Sequence, residues 1–344
     1  MGAPGVAPGS ALHLVASYPA DGQGTNAAPD AGLACDEPTP DCPVPTNLAL
    51  ELRFDRFLLP GGGLAAGVKL YTGSPANSLA VSVAYDLLER VVVLRPARQL
   101  HPNTLYTVEI ASGADRNHGF WAFDGEPLEE GPVPLRFGFT TGSGPIALPA
   151  AAPVIADTCE TMTQGPLSSC ASCHVTRPGA ETIPPSKYPP MGLDLSSSRG
   201  LFDTAIAHVA HQSETGSSAA GEGLRSPVRF GVQMNLVDPG SPATSYLMYK
   251  LLQKPQNFQL DATEASCPTG YHSPVAAGGC TAPDAAERAR VREWFVRGDP
   301  MPEDQQANDG ALAAVAVTHA SLVRVAAWIA AGAPCPDPGA LDPP

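Results

Sequence analysis

The sequence of 344 residues contains 38 prolines and 34 glycines, and only 6% of its residues are aromatic. This composition predicts two loop-rich folding units with small cores rather than one large packed body. The formal net charge of −14 argues against nucleic acid as a partner, because phosphates need a basic surface. No apolar run approaches the roughly 18–20 residues of a membrane span, so the chain is expected to be soluble or only tethered.

Short strand-like segments follow one another from about Leu12 to Gly142. Asn47–Phe54 (NLALELRF) alternates apolar and polar residues, as expected for a strand with one buried face. Further segments of this type are Gly67–Thr72, Leu79–Tyr85, Arg90–Leu94, Thr104–Ile110 and Pro134–Thr140. Glycine, proline and asparagine clusters separate them, and no helical period lies between them, so this half is predicted to form a β-sandwich.

The same half carries five loose motifs, which are Tyr18–Gly22 (YPADG), Phe54-Asp55, Leu94–Pro96 (LRP), Leu100–Tyr106 (LHPNTLY) and Phe139–Gly142 (FTTG). With these motifs residues 1–142 resemble the bacterial Ig-like domains that precede catalytic or binding modules on exported proteins. The resemblance implies an all-β Ig-like sandwich that serves as a spacer or docking module.

Residues 143–154 are uncharged and rich in proline and alanine, which predicts a semi-rigid linker. The periodicity changes after this linker. Four later segments have the pattern of helices, namely Gly200–His211, Ser241–Leu252, Pro283–Arg297 and Val317–Ala331. Residues 155–344 are therefore predicted to form an all-α domain with long connections.

The sequence Cys170-Ala171-Ser172-Cys173-His174 has the spacing of a c-type haem attachment site. Two thiols separated by two residues can each add to a haem vinyl group, while the next imidazole lies under the iron. The motif predicts one covalently attached haem c, with Cys170 and Cys173 as thioethers and His174 as the proximal iron ligand. A thioredoxin-like redox pair, a zinc site and a structural disulfide are the alternatives.

From this motif onward the chain resembles the exported monohaem cytochrome c domains of bacteria. The resemblance also rests on Gly192–Leu195 (GLDL), Val237–Pro242 (VDPGSP), Ser245–Leu247 (SYL) and Trp328–Ala333 (WIAAGA). It implies an all-α cytochrome c-like fold over residues 155–344. It also implies that Met301, in a Met-Pro pair before the last helix, is the distal iron ligand. The rivals for that position are Met234, Met248, His208 and His211.

Six cysteines remain outside the haem motif, an even number that is compatible with three disulfides in an oxidising compartment. One scheme among the fifteen connectivities is Cys35–Cys42, Cys267–Cys280 and Cys159–Cys335. The first residues, MGAPGVAPGSALHLVASYPADG, lack the pattern of a secretory signal. The sequence is therefore interpreted as a mature or trimmed form of a periplasmic, extracellular or cell-surface protein, which a lipid could tether.

The leading functional hypothesis is single-electron transfer through the haem. The acidic net charge suits a redox partner protein with a basic docking face. The alternative is a haem-based sensor or haem enzyme whose distal iron position is open or holds a displaceable ligand. Whether the chain is an enzyme stays open, and a non-catalytic electron-transfer role is favoured.

Overall fold

The computed structural model describes residues 9–28, 39–60, 63–112, 119–146, 157–172, 174–175, 192–210, 234–253, 256–257, 285–294, 296, 305–306, 312–313 and 317–336. These residues fall into two compact units, one with the described residues from 9 to 146 and one with those from 157 to 336. Each unit is described by itself. The predicted boundary at residues 143–154 stays a prediction.

Within its described residues, the first unit contains eight strands in two sheets. The strands are β1 (Leu12–Tyr18), β2 (Leu50–Phe54), β3 (Val68–Tyr71), β4 (Val81–Asp86), β5 (Val91–Pro96), β6 (Leu105–Ile110), β7 (Leu128–Glu129) and β8 (Arg136–Thr140). The larger sheet has the order β4-β5-β2-β1-β7, and the smaller one has the order β3-β6-β8. Neighbouring strands are antiparallel, except that β7 runs parallel to β1. A short α-helix, Gly63–Ala66, precedes β3.

The core of the first unit follows from the alternation of its strands. Leu50, Leu52 and Phe54 lie on one face of β2 and are fully buried, and the polar residues Glu51 and Arg53 on its other face are buried too. Phe54 stacks on Phe120 with ring centroids 5.3 Å apart, and burial of such aromatic rings contributes strongly to a small core. All six strands predicted from the sequence form, with ends within a few residues of the predicted ones.

The second unit combines short helices with short bridges between strands. Its helices are Cys159–Gln164, Ser198–Thr204, Tyr246–Leu252, Ala285–Trp294 and His319–Ala330, and its 3-10 turns include Cys170–Ser172 and Pro242–Thr244. Two-residue strands pair as β9 (Gln256–Asn257) with β12 (Val317–Thr318) and β10 (Gln305–Gln306) with β11 (Leu312–Ala313). Side-chain oxygens of Thr158 and Thr318 cap the first and last of these helices.

The predicted fold class, an all-β Ig-like sandwich followed by an all-α cytochrome c-like domain, is wrong. The part of the chain that the structure describes consists mainly of β-sheet with six short helices, and no all-α cytochrome-like domain occurs in it. Ala285–Trp294 and His319–Ala330 form close to the bounds predicted as Pro283–Arg297 and Val317–Ala331. The other two predicted helices are cut short by backbone pairing. The helix expected over Gly200–His211 ends at Thr204, because Ile206 and Val209 form bridges with Val237 and Asn235.

The helix expected over Ser241–Leu252 is interrupted in the same way. Pro242–Thr244 forms a 3-10 turn, Ser245 bridges to Asn235, and the α-helix begins only at Tyr246. The apolar period of 3.6 residues did not indicate the bridges that divide these segments. It did not predict burial along them either, since Phe202 and Val209 are exposed. In the described parts of the chain, no helix combines the length and the apolar character that a membrane span requires.

Candidate haem-attachment site

Cys170 and His174 are brought together by one turn of backbone. Cys170–Ser172 forms a 3-10 turn, and the backbone N–H of His174 donates to the carbonyl of Cys170 at 2.9 Å. Residues four apart in such a turn are neighbours on one side of it. Both residues are buried, with exposed fractions of 7% for Cys170 and 9% for His174. Cys173 lies outside the described residues.

Further backbone bonds hold this turn at both ends. The N–H of Cys170 donates to the carbonyl of Leu167 at 2.9 Å, and the N–H of Leu167 donates to Met162 at 2.9 Å. On the other side, the N–H of Leu195 donates to the carbonyl of His174 at 2.9 Å. The His174 backbone is thus fixed between the first helix of the unit and a segment 21 residues later, and its Nδ1 atom is buried.

Asp194 fixes the segment that pairs with His174. Its Oδ1 accepts hydrogen bonds from the backbone and the hydroxyl of Ser196, at 2.9 and 2.7 Å. Its backbone N–H donates to the hydroxyl of Thr204 at 2.9 Å. Gly200 lies so close that an added Cβ would stand 2.6 Å from the Asp194 carboxyl carbon, which leaves room only for glycine there. These contacts orient Leu195 toward His174.

A disulfide between Cys159 and Cys335 joins the two ends of the second unit, and it confirms that predicted pair. The backbone N–H of Cys159 also donates to the carbonyl of Pro334 at 3.0 Å. Cys42 is disulfide-bonded in the first unit. Cys35, Cys267 and Cys280 lie outside the described residues, so their pairings stay predictions.

The predicted distal ligand, Met301, lies outside the described residues, and so does His211. Of its rivals, Met248 is fully buried and Met234 is buried, whereas His208 is exposed between two bridges. The assignment of a distal ligand therefore stays a prediction.

Sequence reasoning missed two polar residues in the second unit. Lys250 and Gln253 lie three residues apart at the end of the Tyr246–Leu252 helix, and both are buried. The available signal in the sequence was a lysine and a glutamine among the apolar residues of this segment. Burial of such residues usually requires a partner, so their presence there could have drawn attention to this helix end. Both amide atoms of Gln253 are buried and find no hydrogen-bond partner in the described part of the chain.

The structure tests the alternatives for the Cys-x-x-Cys sequence only in part. A thioredoxin-like pair requires a strand before the motif, but the preceding described element is the helix Cys159–Gln164. Among the residues that the structure describes, no three His, Cys, Asp or Glu side chains cluster as metal ligands, and Cys173 lies outside those residues, so the zinc alternative stays open.

The sequence matches no protein-family model and no curated protein. The comparison with solved structures finds alignments to parts of bacterial proteins. One is the S-layer protein SbsC, which aligns at 9% identity and a TM-score of 0.25, over 41% of this chain and 14% of that one. Its N-terminal part aligns at 13% identity and a TM-score of 0.23, over 31% of this chain and 23% of that one. The copper resistance protein PcoC from Escherichia coli aligns at 20% identity and a TM-score of 0.17, over 29% of this chain and 85% of that one. Scores this low carry no argument about fold or function.

These findings also correct the predicted family. The resemblance to an exported monohaem cytochrome c domain preceded by a bacterial Ig-like domain is wrong, since no family or curated protein matches. The helices of the second unit are short, and its described residues contain no metal-binding cluster. Two of the motifs that suggested the resemblance lie in turns, since Pro242–Thr244 forms a 3-10 turn and Gly332 has a positive φ after the last helix.

Proposed function

We propose that this chain carries one haem c, attached through Cys170 and Cys173 and ligated by His174, and that it transfers single electrons. The observation that carries the proposal is the Cys-x-x-Cys-His sequence with Cys170 and His174 buried on one closed turn. This donor set fits the group, because thioether attachment and imidazole ligation need both side chains on one side of the backbone. When bound, a haem supplies a one-electron iron couple.

The surrounding residues have roles that follow from their contacts. Cys170 and Cys173 provide the attachment thiols, and His174 provides the imidazole. The N–H of Leu195 fixes the backbone of His174, and Asp194 holds the segment that contains Leu195 through its bonds to Ser196. Burial of Cys170 and His174 excludes water, and a low local polarity is one of the factors that tune a haem potential.

The proposal includes Met301 as the distal ligand and an exported location. Pro300 and Pro302 restrict the backbone on both sides of Met301, which favours an extended loop that presents its thioether. The Cys159–Cys335 disulfide supports a periplasmic or extracellular location, because disulfides persist in oxidising compartments. The net charge of −14 supports a redox partner with a basic docking face.

The decisive experiment measures the intact mass and the pyridine haemochrome spectrum of the full chain after expression with a cytochrome maturation system. We expect the mass of the chain plus one haem. Cys170→Ala or Cys173→Ala should impair attachment, and His174→Ala should abolish the low-spin spectrum. His208→Ala is the matched control, because this exposed histidine lies in the same unit. A chain without added haem mass would refute the proposal.

The same protein separates electron transfer from the sensor or enzyme alternative. Ferrous wild-type protein exposed to carbon monoxide should show little spectral change if a methionine holds the distal position. Met301→Ala should lower the potential and allow carbon monoxide to bind. Rapid binding to the wild type would favour a sensor or enzyme, and an unchanged Met301→Ala spectrum would exclude Met301 as the ligand.

A further inference from the structure

Most sheet edges of the first unit are covered by the unit's own backbone. The N–H of Thr140 in the edge strand β8 donates to the carbonyl of Gln23 at 2.8 Å, and the N–H of Leu79 donates to a carbonyl of β3 at 2.7 Å. At β7, the N–H of Leu128 donates to Phe120 at 3.1 Å. An uncovered edge instead presents unpaired N–H and C=O groups, which can pair with the strand of another chain.

The edge strand β4 differs from these three edges. It pairs with β5 over six residues, and just before it the N–H of Ala97 donates to the carbonyl of Ala80 at 2.9 Å. Because hydrogen-bonded pairs alternate along an antiparallel ladder, the even-numbered residues of β4 bond to β5, and the backbone groups of Val81 and Val83 face away from it. Among the described residues, none bonds to these outward groups. The short helix Gly63–Ala66 lies near β4 but makes no backbone bond to either valine.

The sequence of this edge lacks the residues that usually protect one. Charged side chains and prolines normally prevent edge-to-edge pairing. β4 contains no lysine, arginine or proline, and no charged residue occurs between Lys69 and Asp86. The side chains of Ala80, Ser82 and Ala84 are small and exposed. Another strand can therefore approach β4 without burying a charge.

A second copy of β4 is complementary to this edge. When two antiparallel copies meet with Ser82 of each at the two-fold axis, Val81 of one copy lies opposite Val83 of the other. Every outward N–H and C=O group of both valines then finds a partner, and valine packs against valine on one face. A shift by two residues would place Val83 opposite Leu79, whose N–H already bonds to β3. No charge on this edge selects an oppositely charged partner, whereas the backbone groups and the valines match those of their own copy.

We infer that the β4 edge binds a second copy of this chain, so that the larger sheet continues through a two-fold axis at Ser82. A contact in which the same surface patch faces itself is the usual form of a homodimer interface. The net charge of −14 on each chain opposes this contact over long range, so salt should strengthen the dimer. This inference is independent of the haem proposal.

Ser82→Cys in the full chain tests the position of the axis. Opposite residues of a non-hydrogen-bonded antiparallel pair have Cα atoms about 4.5 Å apart, which is within reach of a disulfide. Mild oxidation should therefore give a covalent dimer on non-reducing electrophoresis, with a yield that rises with salt and with the wild type as the baseline. Ala80→Cys is the matched control, because it is exposed at the same edge but would lie about 14 Å from its own copy. Equal cross-linking of both variants, or of neither, would overturn the inference.

Val83→Pro tests the pairing without a cross-link. The substitution removes an N–H that faces away from β5, so the ladder with β5 remains while pairing with a second copy is blocked. Sedimentation velocity over a concentration series should show a wild-type dimer, and Val83→Pro should weaken dimerisation by about tenfold or more. Val83→Ala is the matched control, because it shortens the side chain but keeps the N–H, and it should dimerise much more strongly than Val83→Pro.

A second control separates strand pairing from general apolar adhesion. Leu105 is 57% exposed in the smaller sheet, and Leu105→Lys should leave the dimer unchanged. A dimer that is lost with Leu105→Lys and kept with Val83→Pro would overturn the inference, and so would a wild type that stays monomeric at every concentration and salt level. The Ser82→Cys experiment remains decisive if Val83→Pro does not fold, which circular dichroism would reveal.

Discussion

Each of the two units of this protein is stabilised internally by a different kind of long-range interaction. In the first unit, strands pair over long registers, and β4 and β5 alone match six residues. In the second unit, single bridges such as Ile206 with Val237 replace such ladders, and a disulfide joins residues 176 positions apart. Sheet ladders distribute stability over many small contacts, whereas the second unit concentrates it in a few links between distant segments.

The ion pairs named here differ between the two units in how deeply they are buried. Arg56 of the first unit bonds to the carboxylate of Asp124, and Arg53 bonds to Glu89 at 3.1 Å, with all four side chains buried. In the second unit the pair between Arg324 and Asp157 is partly exposed. The first unit therefore buries both of these ion pairs, whereas the pair between Asp157 and Arg324 in the second unit lies near the surface, beside its first and last helices.

The largest effect is expected from removing the disulfide of the second unit. Replacing Cys159 and Cys335 with alanine should destabilise that unit by about 5 kcal/mol, because a cross-link that closes so long a loop restricts the unfolded chain. Hydrogen exchange read peptide by peptide should show faster exchange in the second unit and unchanged exchange in β1–β8. Equally faster exchange in both units would show that the disulfide stabilises the whole chain. The proposed difference between the two units would then be wrong.

The next effect should arise in the first unit from breaking its buried ion pair. Arg56→Met leaves the Asp124 carboxylate buried without its charge partner, which typically costs about 3–5 kcal/mol. Urea unfolding of the first unit measures this loss. The double variant Arg56→Met/Asp124→Leu should recover much of it, since no isolated charge remains. Arg199→Met, in the exposed pair with Asp203 of the second unit, is the control and should change the stability of that unit by no more than about 1 kcal/mol.

A contrary result at Arg56 would sharpen the comparison. If the single and double variants lose the same stability, then packing of the arginine over the Phe123 ring, 5.6 Å from its centroid, matters more than the charge pair.

The third effect has the opposite sign. Burial raises the pKa of Glu51 to about 7 from an ordinary 4.5, and the charge of Asp86 also raises it, against the lowering effect of Arg95. The folded state therefore holds the proton more tightly than the unfolded chain. Its contribution to stability is complete below about pH 4.5 and is lost as the pH rises through about 7. Glu51→Gln should therefore make the first unit more stable than the wild type above pH 7, by roughly 3 kcal/mol at most.

Unfolding of the first unit at pH 5 and pH 8 measures the Glu51 effect. The advantage of Glu51→Gln should be several-fold larger at pH 8 than at pH 5. Glu129→Gln is the matched control, because this glutamate is exposed on the same sheet. An advantage of equal size at both pH values would mean that shape, rather than ionisation, explains the gain.

The first unit was more predictable from its sequence than the second. Its strands follow from local alternation, as in Leu50–Phe54, and this signal is independent of distant partners. The end of the Ser198–Thr204 helix was not predictable, because it depends on Asn235 and Val237, about 30 residues away. Pairing of that kind leaves no periodic signal in either segment.

The same distinction applies to the candidate site, where local features were predictable from the sequence and contacts between distant segments were not. The types and spacing of Cys170, Cys173 and His174 were evident in the sequence, because one turn of backbone determines their arrangement. The role of Asp194 was not evident, because it arises from its bonds to Ser196 and Thr204 and from its close packing against Gly200. The sequence did offer the correct pairing of Cys159 with Cys335, since two cysteines at the ends of a unit can join its termini.

The smallest expected effect concerns the ion pair that lies beside that disulfide. The guanidinium of Arg324 donates to Asp157 at 2.6 and 3.1 Å and lowers the pKa of this carboxyl below its ordinary 3.8. Because the folded pKa is lowered, the stabilisation is present above about pH 3.8 and is lost as the pH falls through the folded pKa. Asp157→Asn should cost the second unit no more than about 1 kcal/mol at pH 7, since the arginine side chain is 47% exposed and solvent screens the pair.

The cost of Asp157→Asn should shrink in 1 M salt and vanish in strong acid, and unfolding of the second unit at several pH values measures it. Asp203→Asn is the matched control, because Asp203 pairs with an arginine on a single helix and links no separate segments. The Asp157 pair joins the residue before the first helix to the last helix, as the disulfide does. Removing this pair should therefore cost more stability in a chain that lacks the disulfide. In that chain it is the remaining charged link between these two segments among the described residues. If Asp157→Asn costs the same stability with and without the disulfide, the ion pair and the disulfide act independently. The stability of the second unit would then depend less on the links between its first and last helices than we infer.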